Sequence, residues 1–280
     1  MRHFTTVGLS LLLYLLSTML GLISLLYPFF SIRDRQLQPA GALRLGEMPL
    51  MLLLVLCICL AVLVYESQSQ AANPRLVALL GMLVAINSAL RFIEVAIPGP
   101  GGFTPIFFLI ILSGYVFGGR IGFLVGALTM FVSALVTGGV GPWLPSQMFC
   151  AGWVGLSAPL CRPLVRLLDG KIRGWEVIVL AGYGFGWGIL YGAIMNLWTW
   201  PFLIGPASQY WAPGTSLKAT LSSYALYYLV TSLAWDLAAS TGNLLLIATL
   251  GAPTLRALRR FQRRFTFRYR SSIPRPAVQS

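Results

Sequence analysis

The sequence predicts an all-α integral membrane protein, and three observations lead to this fold class. Hydrophobic residues make up 57% of the 280 residues and charged residues only 10%. The mean hydropathy is +0.79, which lies outside the range of soluble domains. The apolar residues form long runs instead of alternating with polar ones. Because backbone amides in hydrocarbon must be satisfied within their own segment, such runs favour a helical bundle over a barrel.

The apolar runs divide the chain into three regions. Runs at 7–30 and 48–65 predict two extra N-terminal transmembrane helices within residues 1–73. Residues 74–252 carry the runs of a predicted six-helix core: 76–97, 104–117, 121–137, 147–168, 177–200 and 221–250. Gly118-Gly119-Arg120 places two flexible residues and a charge inside an apolar stretch, which predicts a tight turn between two short helices. Residues 253–280 form a basic tail.

The positive charge predicts the orientation. With both termini in the cytoplasm, Arg75, Arg120 and the basic residues from 162 to 173 lie inside, whereas the uncharged loops 98–103 and 138–146 lie outside. The loop that carries Arg33, Arg35 and Arg44 departs from this rule. In the tail, arginines alternate with phenylalanines over residues 256–270, a pattern typical of contact with anionic membrane lipid. The formal charge of +13 therefore orients a membrane protein, and nucleic acid is not an expected partner.

The sequence lacks the residues that several classes of functional site require. The only histidine is His3, and the four cysteines show no CxxC spacing, so no metal site is expected. Gly170-Lys171 is followed by Ile172 and belongs to no phosphate-binding loop, so any ATP would have to be hydrolysed by another chain, and no cofactor motif is present. A membrane enzyme acting on a lipid or prenyl substrate would need clustered carboxylates. The seven acidic residues are scattered, so we expect no enzyme and keep this as the alternative function.

Small residues recur every four positions on several predicted helices, and such faces let helix backbones approach closely in lipid. Ordinary bundle packing explains them, although one face could receive a partner. The four faces are Gly81, Ala85 and Ala89; Gly118, Gly122 and Gly126; Gly184, Gly188 and Gly192; and Ala234, Ala238 and Gly242.

Three charged residues fall at membrane depth, where they need partners or an aqueous cavity. Arg91 and Glu94 are three residues apart on one helix, so they form either a local ion pair or part of a ligand site. Asp236 is expected halfway along the last helix, paired with Arg91 or another donor, or in contact with substrate.

Amides and indoles gather at the predicted outer side. The Gly/Pro-rich loop after Thr137 contains Trp143 and ends at Gln147, at the start of a predicted helix. Either these aromatics form an interfacial belt, or they orient a large ring-rich ligand together with the amides. The candidate contacts are Asn87, Gln147, Asn196, Trp143, Trp198 and Trp200.

Two segments resemble a known family. Residues 113–127 (SGYVFGGRIGFLVGA) and 141–148 (GPWLPSQM) are similar to the substrate-specific (S) components of energy-coupling factor (ECF) transporters, and the second segment looks most like the cobalamin-associated branch. The resemblance covers residues 76–250. It implies a six-helix subunit in a bacterial plasma membrane that captures a vitamin from outside. A coupling transmembrane subunit and two ATPase subunits then drive uptake.

The same resemblance implies a docking face for the coupling subunit. In S components an Ala-x-x-x-Ala face on the first core helix contacts that partner, and here Ala85 and Ala89 match, extended back by Gly81. The pair of helices before residue 74 has no counterpart in the six-helix pattern.

Overall fold

The computed structural model is helical throughout its regular elements and describes most of the predicted core. It describes residues 74–96, 104–168, 174–203, 208–211 and 214–265, together with residue 206, residues 21–26 and a few other positions between 15 and 57. Apart from those positions, the predicted extra helices of residues 1–73 lie outside the described residues, as do both termini.

Eight α-helices follow one another between residues 74 and 265 in this part of the chain. Two short 3-10 turns join them: Ala158–Leu160 links α4 to α5, and Trp200–Phe202 extends α6. The helices are α1 (Pro74–Ala96), α2 (Ile106–Phe117), α3 (Gly119–Thr137), α4 (Leu144–Ser157), α5 (Cys161–Leu168), α6 (Trp175–Thr199), α7 (Leu217–Thr231) and α8 (Leu233–Phe265).

By length and composition, five described stretches can cross a membrane, and the predicted helical membrane fold is confirmed to that extent. The five are Val77–Ala96, Gly119–Thr137, Leu144–Leu168, Trp175–Phe202 and Leu233–Arg263. Helix α2 is apolar but has only 12 residues, and Ile106 to Val116 are all buried among its neighbours.

The tight turn predicted at Gly118 is confirmed. Helix α2 ends at Phe117 and α3 begins at Gly119, with Gly118 between them at a φ of 106°. Side chains with a Cβ rarely adopt this backbone conformation, so the turn depends on glycine. The two helices therefore run antiparallel beside each other.

Glycines bring α2, α3 and α4 into backbone contact. A Cβ added at Gly122 would lie 2.4 Å from the carbonyl oxygen of Gly155, and one at Gly114 would lie 2.2 Å from the same atom. A Cβ at Gly126 would lie 2.2 Å from the carbonyl oxygen of Ala151. Gly122 and Gly126 therefore serve bundle packing, as expected for small residues at helix contacts in lipid.

A second small-residue face, on α6, packs against α8. A Cβ at Gly188 would lie 2.3 Å from Ser240 Oγ, and one at Gly192 would lie 2.1 Å from Asp236 Oδ2. Gly184 meets the side chain of Ile247 in the same way. This face admits polar side chains from α8 as well as apolar ones.

The prediction of one helix over residues 221–250 is wrong. The chain leaves helical geometry at Ser232, where φ is −128°, so α7 and α8 are separate helices that meet there. The apolar run continues across this residue and hides the break, while the Ser232 hydroxyl bonds to Asn196 Oδ1 on α6 at 2.9 Å. The predicted helix 147–168 is likewise divided, by the 3-10 turn before α5.

Helix α8 runs through the boundary predicted between residues 252 and 253 and ends at Phe265. Leu255 and Leu258 are buried, and Arg259 forms a double hydrogen bond with Glu176 near the start of α6. Gln262 donates to the carbonyl of Val116 at 2.9 Å. Residues 255–262 therefore pack against the core.

The two ends of the bundle differ in charge. One end holds Arg120, Arg162, Arg166, Arg256 and Arg259, and we call it the basic end. The other end contains the turn of residues 138–143 and the end of α6, and we call it the aromatic end.

Gly122→Ala should destabilise the bundle, because its methyl group would strike the backbone of Gly155 and Gly114. We expect a loss of about 1–3 kcal/mol, as for overpacked cores. Gly182→Ala is the matched control, since nothing lies within 4 Å of an added Cβ there. Thermal unfolding in detergent, followed by tryptophan fluorescence, measures both. Equal melting temperatures of the two variants would show that the close approach of α3 and α4 does not contribute to stability.

Candidate functional site

The candidate residues at the aromatic end begin with Asn87 on α1. Asn87 is fully buried, and its Nδ2 donates to the carbonyl of Ile106 at 3.0 Å and to Thr129 Oγ1 at 3.2 Å. Its Oδ1 is buried and has no hydrogen-bond partner among the described residues. Since a lost buried hydrogen bond costs about 1–3 kcal/mol, Asn87 ties α1 to α2 and α3.

Arg91 and Glu94 form the local pair that their spacing allowed. Arg91 Nη1 lies 3.5 Å from Glu94 Oε1, and Thr104 donates its hydroxyl to Glu94 Oε2 at 2.6 Å. Both charged side chains are partly exposed, at 24% and 19%. This pair fastens the end of α1 to the segment that leads into α2.

In the turn of residues 138–143, which we call the outer turn, the side chain of Trp143 packs against the backbone of the turn. The Trp143 ring covers Gly141, and its indole Nε1 donates to the carbonyl of Gly139 at 3.2 Å. The indole is nevertheless 42% exposed. Gln147 lies one turn inside α4, which begins at Leu144, so the predicted helix start was three residues late.

Trp200 is the centre of an aromatic cluster. It is fully buried, its Nε1 donates to the carbonyl of Gln209 at 2.9 Å, and its ring contacts Tyr224 and Tyr227. Phe29, from the N-terminal segment, packs edge-on against it at 6.3 Å. Trp198 is also buried and contacts Phe202 instead.

Asn196 connects α6 to the α7–α8 junction. Its Nδ2 donates to the carbonyl of Gly192 at 2.9 Å, and its Oδ1 accepts hydrogen bonds from Ser232 at 2.9 Å and Tyr227 at 3.4 Å. This bonding holds the non-helical residue Ser232 in place.

Asp236 lies in the first turn of α8 and not halfway along the last helix, because that helix begins at Leu233. Its Oδ2 accepts a hydrogen bond from Tyr228 at 2.8 Å, and Gly192 leaves room for the carboxylate. A carboxylate in the first turn is also favoured by the helix dipole. Tyr228, and not Arg91, is therefore the donor found for Asp236.

The candidate residues form three groups within the part of the chain that is described. The contacts above join Asn87, Arg91 and Glu94 through α1, α2 and α3, whereas Asn196, Trp200 and Asp236 meet through α6, α7 and α8. Trp143 and Gln147 lie on the turn and first coil before α4. Among the described residues, no hydrogen bond or ion pair joins one group to another.

Three tyrosines that form hydrogen bonds at the aromatic end were not among the predicted site residues. Tyr224, Tyr227 and Tyr228 stand at helical spacing on α7, a pattern that could have indicated one polar-aromatic face. Ser240 and Asn243 were also not predicted; they are fully buried on α8, and their side-chain polar atoms have no hydrogen-bond partner among the described residues.

The N-terminal segment reaches the same end. Ser24 Oγ lies 3.2 Å from Ser146 Oγ, and Gly21 fits against the ring of Phe149. Phe29 contacts Trp211 as well as Trp200, with ring centroids 5.6 Å apart. These residues lie between α4 and the aromatic cluster.

A comparison with protein families identifies the chain. The family model described as "ECF transporter, substrate-specific component" matches residues 75–256, well over half of the chain. The chain belongs to this family. No curated protein and no solved structure gives a significant match.

Membership establishes the general role. An S component is the substrate-specific membrane subunit of a transporter that works with a coupling membrane subunit and ATPases, and the family is not one of enzymes. The apolar helices agree with a multi-pass membrane protein. Within the described residues, no three His, Cys, Asp or Glu side chains could together hold a metal ion.

The small-residue face on α1 of this S component is open. Gly81, Ala85 and Ala89 are exposed, and nothing lies within 4 Å of a Cβ added at Gly81. The opposite face, with Leu83 and Asn87, is buried in the bundle. This exposure distinguishes the face from those of α3 and α6, which are used in packing.

Tyr228→Phe should lower stability by about 1–3 kcal/mol, because it leaves the Asp236 carboxylate without its donor. Tyr210→Phe is the control, since its hydroxyl makes no hydrogen bond in the described structure and its ring still contacts Tyr227. Thermal unfolding measures the difference. In an Asp236→Ala background the effect of Tyr228→Phe should nearly vanish, and a full effect there would disprove the coupling.

Proposed function

We propose that this S component captures a vitamin or related micronutrient at the aromatic end, for uptake across a bacterial plasma membrane. The observation that carries the proposal is the contrast between the ends: arginines crowd one end, whereas the turn of residues 138–143 is uncharged. The positive-inside rule then assigns the basic end to the cytoplasm and the aromatic end to the outside. Substrate enters from the outside.

The proposed substrate site lies between the outer turn and the adjacent ends of α1, α6 and α8. The exposed indole of Trp143 and the amide of Gln147 are the first groups a ligand would meet. Deeper in, Asn87, Asn196 and Asp236 offer polar groups, while Arg91, Glu94, Trp198 and Trp200 border them. In this proposal, substrate binding replaces some of the hydrogen bonds within each group by bonds to substrate.

A large uncharged or ring-rich ligand suits these residues best. Indoles and amides contact such a ligand without the desolvation cost of charged groups. The resemblance of residues 141–148 to the cobalamin-associated branch makes a cobalamin-like molecule the favoured substrate.

The coupling subunit is proposed to dock on Gly81, Ala85 and Ala89. Helices in lipid associate through small residues that permit close approach, and this exposed face has no partner within the described bundle. Two ATPase subunits supply the energy through that partner.

The alternative, a membrane enzyme for a lipid or prenyl substrate, has less support. The described acidic groups at the aromatic end, Glu94 and Asp236, belong to different groups of contacts and are each hydrogen-bonded to a hydroxyl. These two residues therefore do not form the carboxylate cluster that was expected for such an enzyme.

Trp143→Ala and Gln147→Ala should each weaken cobalamin binding about tenfold to a hundredfold, as expected for one lost buried hydrogen bond or ring contact. Titration of the protein in nanodiscs measures the affinity. Trp175→Ala is the control, because that indole lies at the start of α6, at the basic end of the bundle. Wild-type affinity in both site variants would remove the outer turn from the site. If the wild-type protein does not bind cobalamin but co-purifies with another small molecule, the cobalamin assignment is wrong and the proposal of substrate capture stands.

Ala85→Trp should abolish transport with the coupling subunit present while leaving substrate affinity unchanged, since a bulky side chain blocks close helix approach. Ile86→Trp is the matched control, because Ile86 is already a large side chain, 46% exposed on the same helix. Uptake into proteoliposomes and co-purification of the coupling subunit provide the readouts. Normal transport by Ala85→Trp would contradict the docking face.

A further inference from the structure

The basic end contains a cavity that substrate capture does not use. Its volume is about 300 Å³ and it opens at the end of the bundle where α2, α5 and α8 meet. Six residues line it: Tyr115, Val116, Arg162, Arg166, Arg259 and Gln262.

Two of the lining arginines are held in fixed positions. Arg162 donates its Nε to the carbonyl of Tyr115 at 3.0 Å, and its guanidinium lies 5.9 Å from the centre of the Tyr115 ring. Arg259 donates two hydrogen bonds, one to each carboxylate oxygen of Glu176. Because the carbonyls at the end of α2 have no helical partners, they make good acceptors for the cations.

Donors remain unused in this cavity. No hydrogen bond or ion pair is found for Arg166, four residues after Arg162 on the same helix, within the described structure. The Nη1 of Arg162 also has no bond to any described residue. Three guanidinium groups line the cavity, and the carboxylate bonded to one of them, Glu176, is already paired with Arg259, so the described lining residues carry a net positive charge.

Guanidinium groups bind phosphate oxygens through paired N–H donors, so a phosphate is the anion that this geometry favours. Arg166 is exposed at the mouth of this cavity, so an anion can reach its guanidinium group from outside.

The surroundings favour a lipid as the source of the phosphate. Leu160, Leu164 and Leu167 lie on and just before α5 at helical spacing, and they are 75%, 47% and 71% exposed. A short helix with arginines toward a cavity and leucines exposed is typical of one that lies at the membrane interface. Acyl chains can lie along these leucines while the headgroup enters the cavity.

We propose that this cavity binds the phosphate headgroup of an anionic phospholipid, with Arg162 and Arg166 as its principal ligands. Clusters of arginine between helix ends on the cytoplasmic side are a known setting for such headgroups. The site is independent of the substrate site and requires no substrate for its test.

The experiment measures lipid binding to the full-length protein in detergent. Short-chain phosphatidylglycerol is titrated against wild type, with short-chain phosphatidylcholine and inorganic phosphate as comparison probes. We expect phosphatidylglycerol to bind tighter than both. Arg166→Gln should weaken it about tenfold, the value of one strong charge-assisted contact.

Arg256→Gln is the matched control, because Arg256 is exposed on α8, bonds to its own helix and does not line the cavity. It removes the same charge and should leave binding unchanged. Arg162→Gln should weaken binding as Arg166→Gln does. If Arg162→Gln fails to fold, Arg166→Gln still decides the matter, because its side chain holds no part of the described structure.

Three results would overturn the proposal. Equal weakening by Arg256→Gln would show non-specific surface attraction. Binding of inorganic phosphate as tight as that of phosphatidylglycerol would assign the cavity to a soluble anion. Loss of coupling-subunit binding in Arg166→Gln, with no lipid bound by wild type, would make the cavity a protein contact.

Discussion

The backbone contact between Gly122 and Gly155 is the constraint on which the rest of the bundle depends. With Gly114 it brings three helices to a distance at which no side chain fits. In lipid there is little hydrophobic force to hold helices together, so such van der Waals contact between backbones supplies much of the association. Around this centre, α1 packs against α3, and α6 packs against α8.

The polar groups follow from the same constraint. Asn87, Asn196 and Asp236 each find partners on neighbouring helices, and the fit of Asp236 against Gly192 shows how a missing side chain makes space for a charged one. These bonds hold the aromatic end together in the form described. In the proposed substrate site, several of the same side chains would also contact substrate.

Much of the fold could be predicted because its causes are local. The Gly118 turn, the small-residue faces and the Arg91–Glu94 pair each depend on residues within a few positions of one another. The break at Ser232 could not be predicted, because its supporting bond comes from Asn196 on another helix. The donor of Asp236 was missed since the unseen break moved this residue from the middle of a helix to its start. The arginine cavity depends on residues almost 150 positions apart, such as Val116 and Gln262, which no local pattern connects.

The shortness of α2 has a consequence for the shape of the membrane domain. With 12 residues, α2 spans about 18 Å, against about 30 Å of hydrocarbon. It is surrounded by longer helices, so its mismatch with the bilayer cannot be relieved by tilting into lipid or by thinning the adjacent leaflet. Because its residues are buried, α2 contacts other helices and not lipid, so its length is set by packing inside the bundle instead of by the thickness of the bilayer.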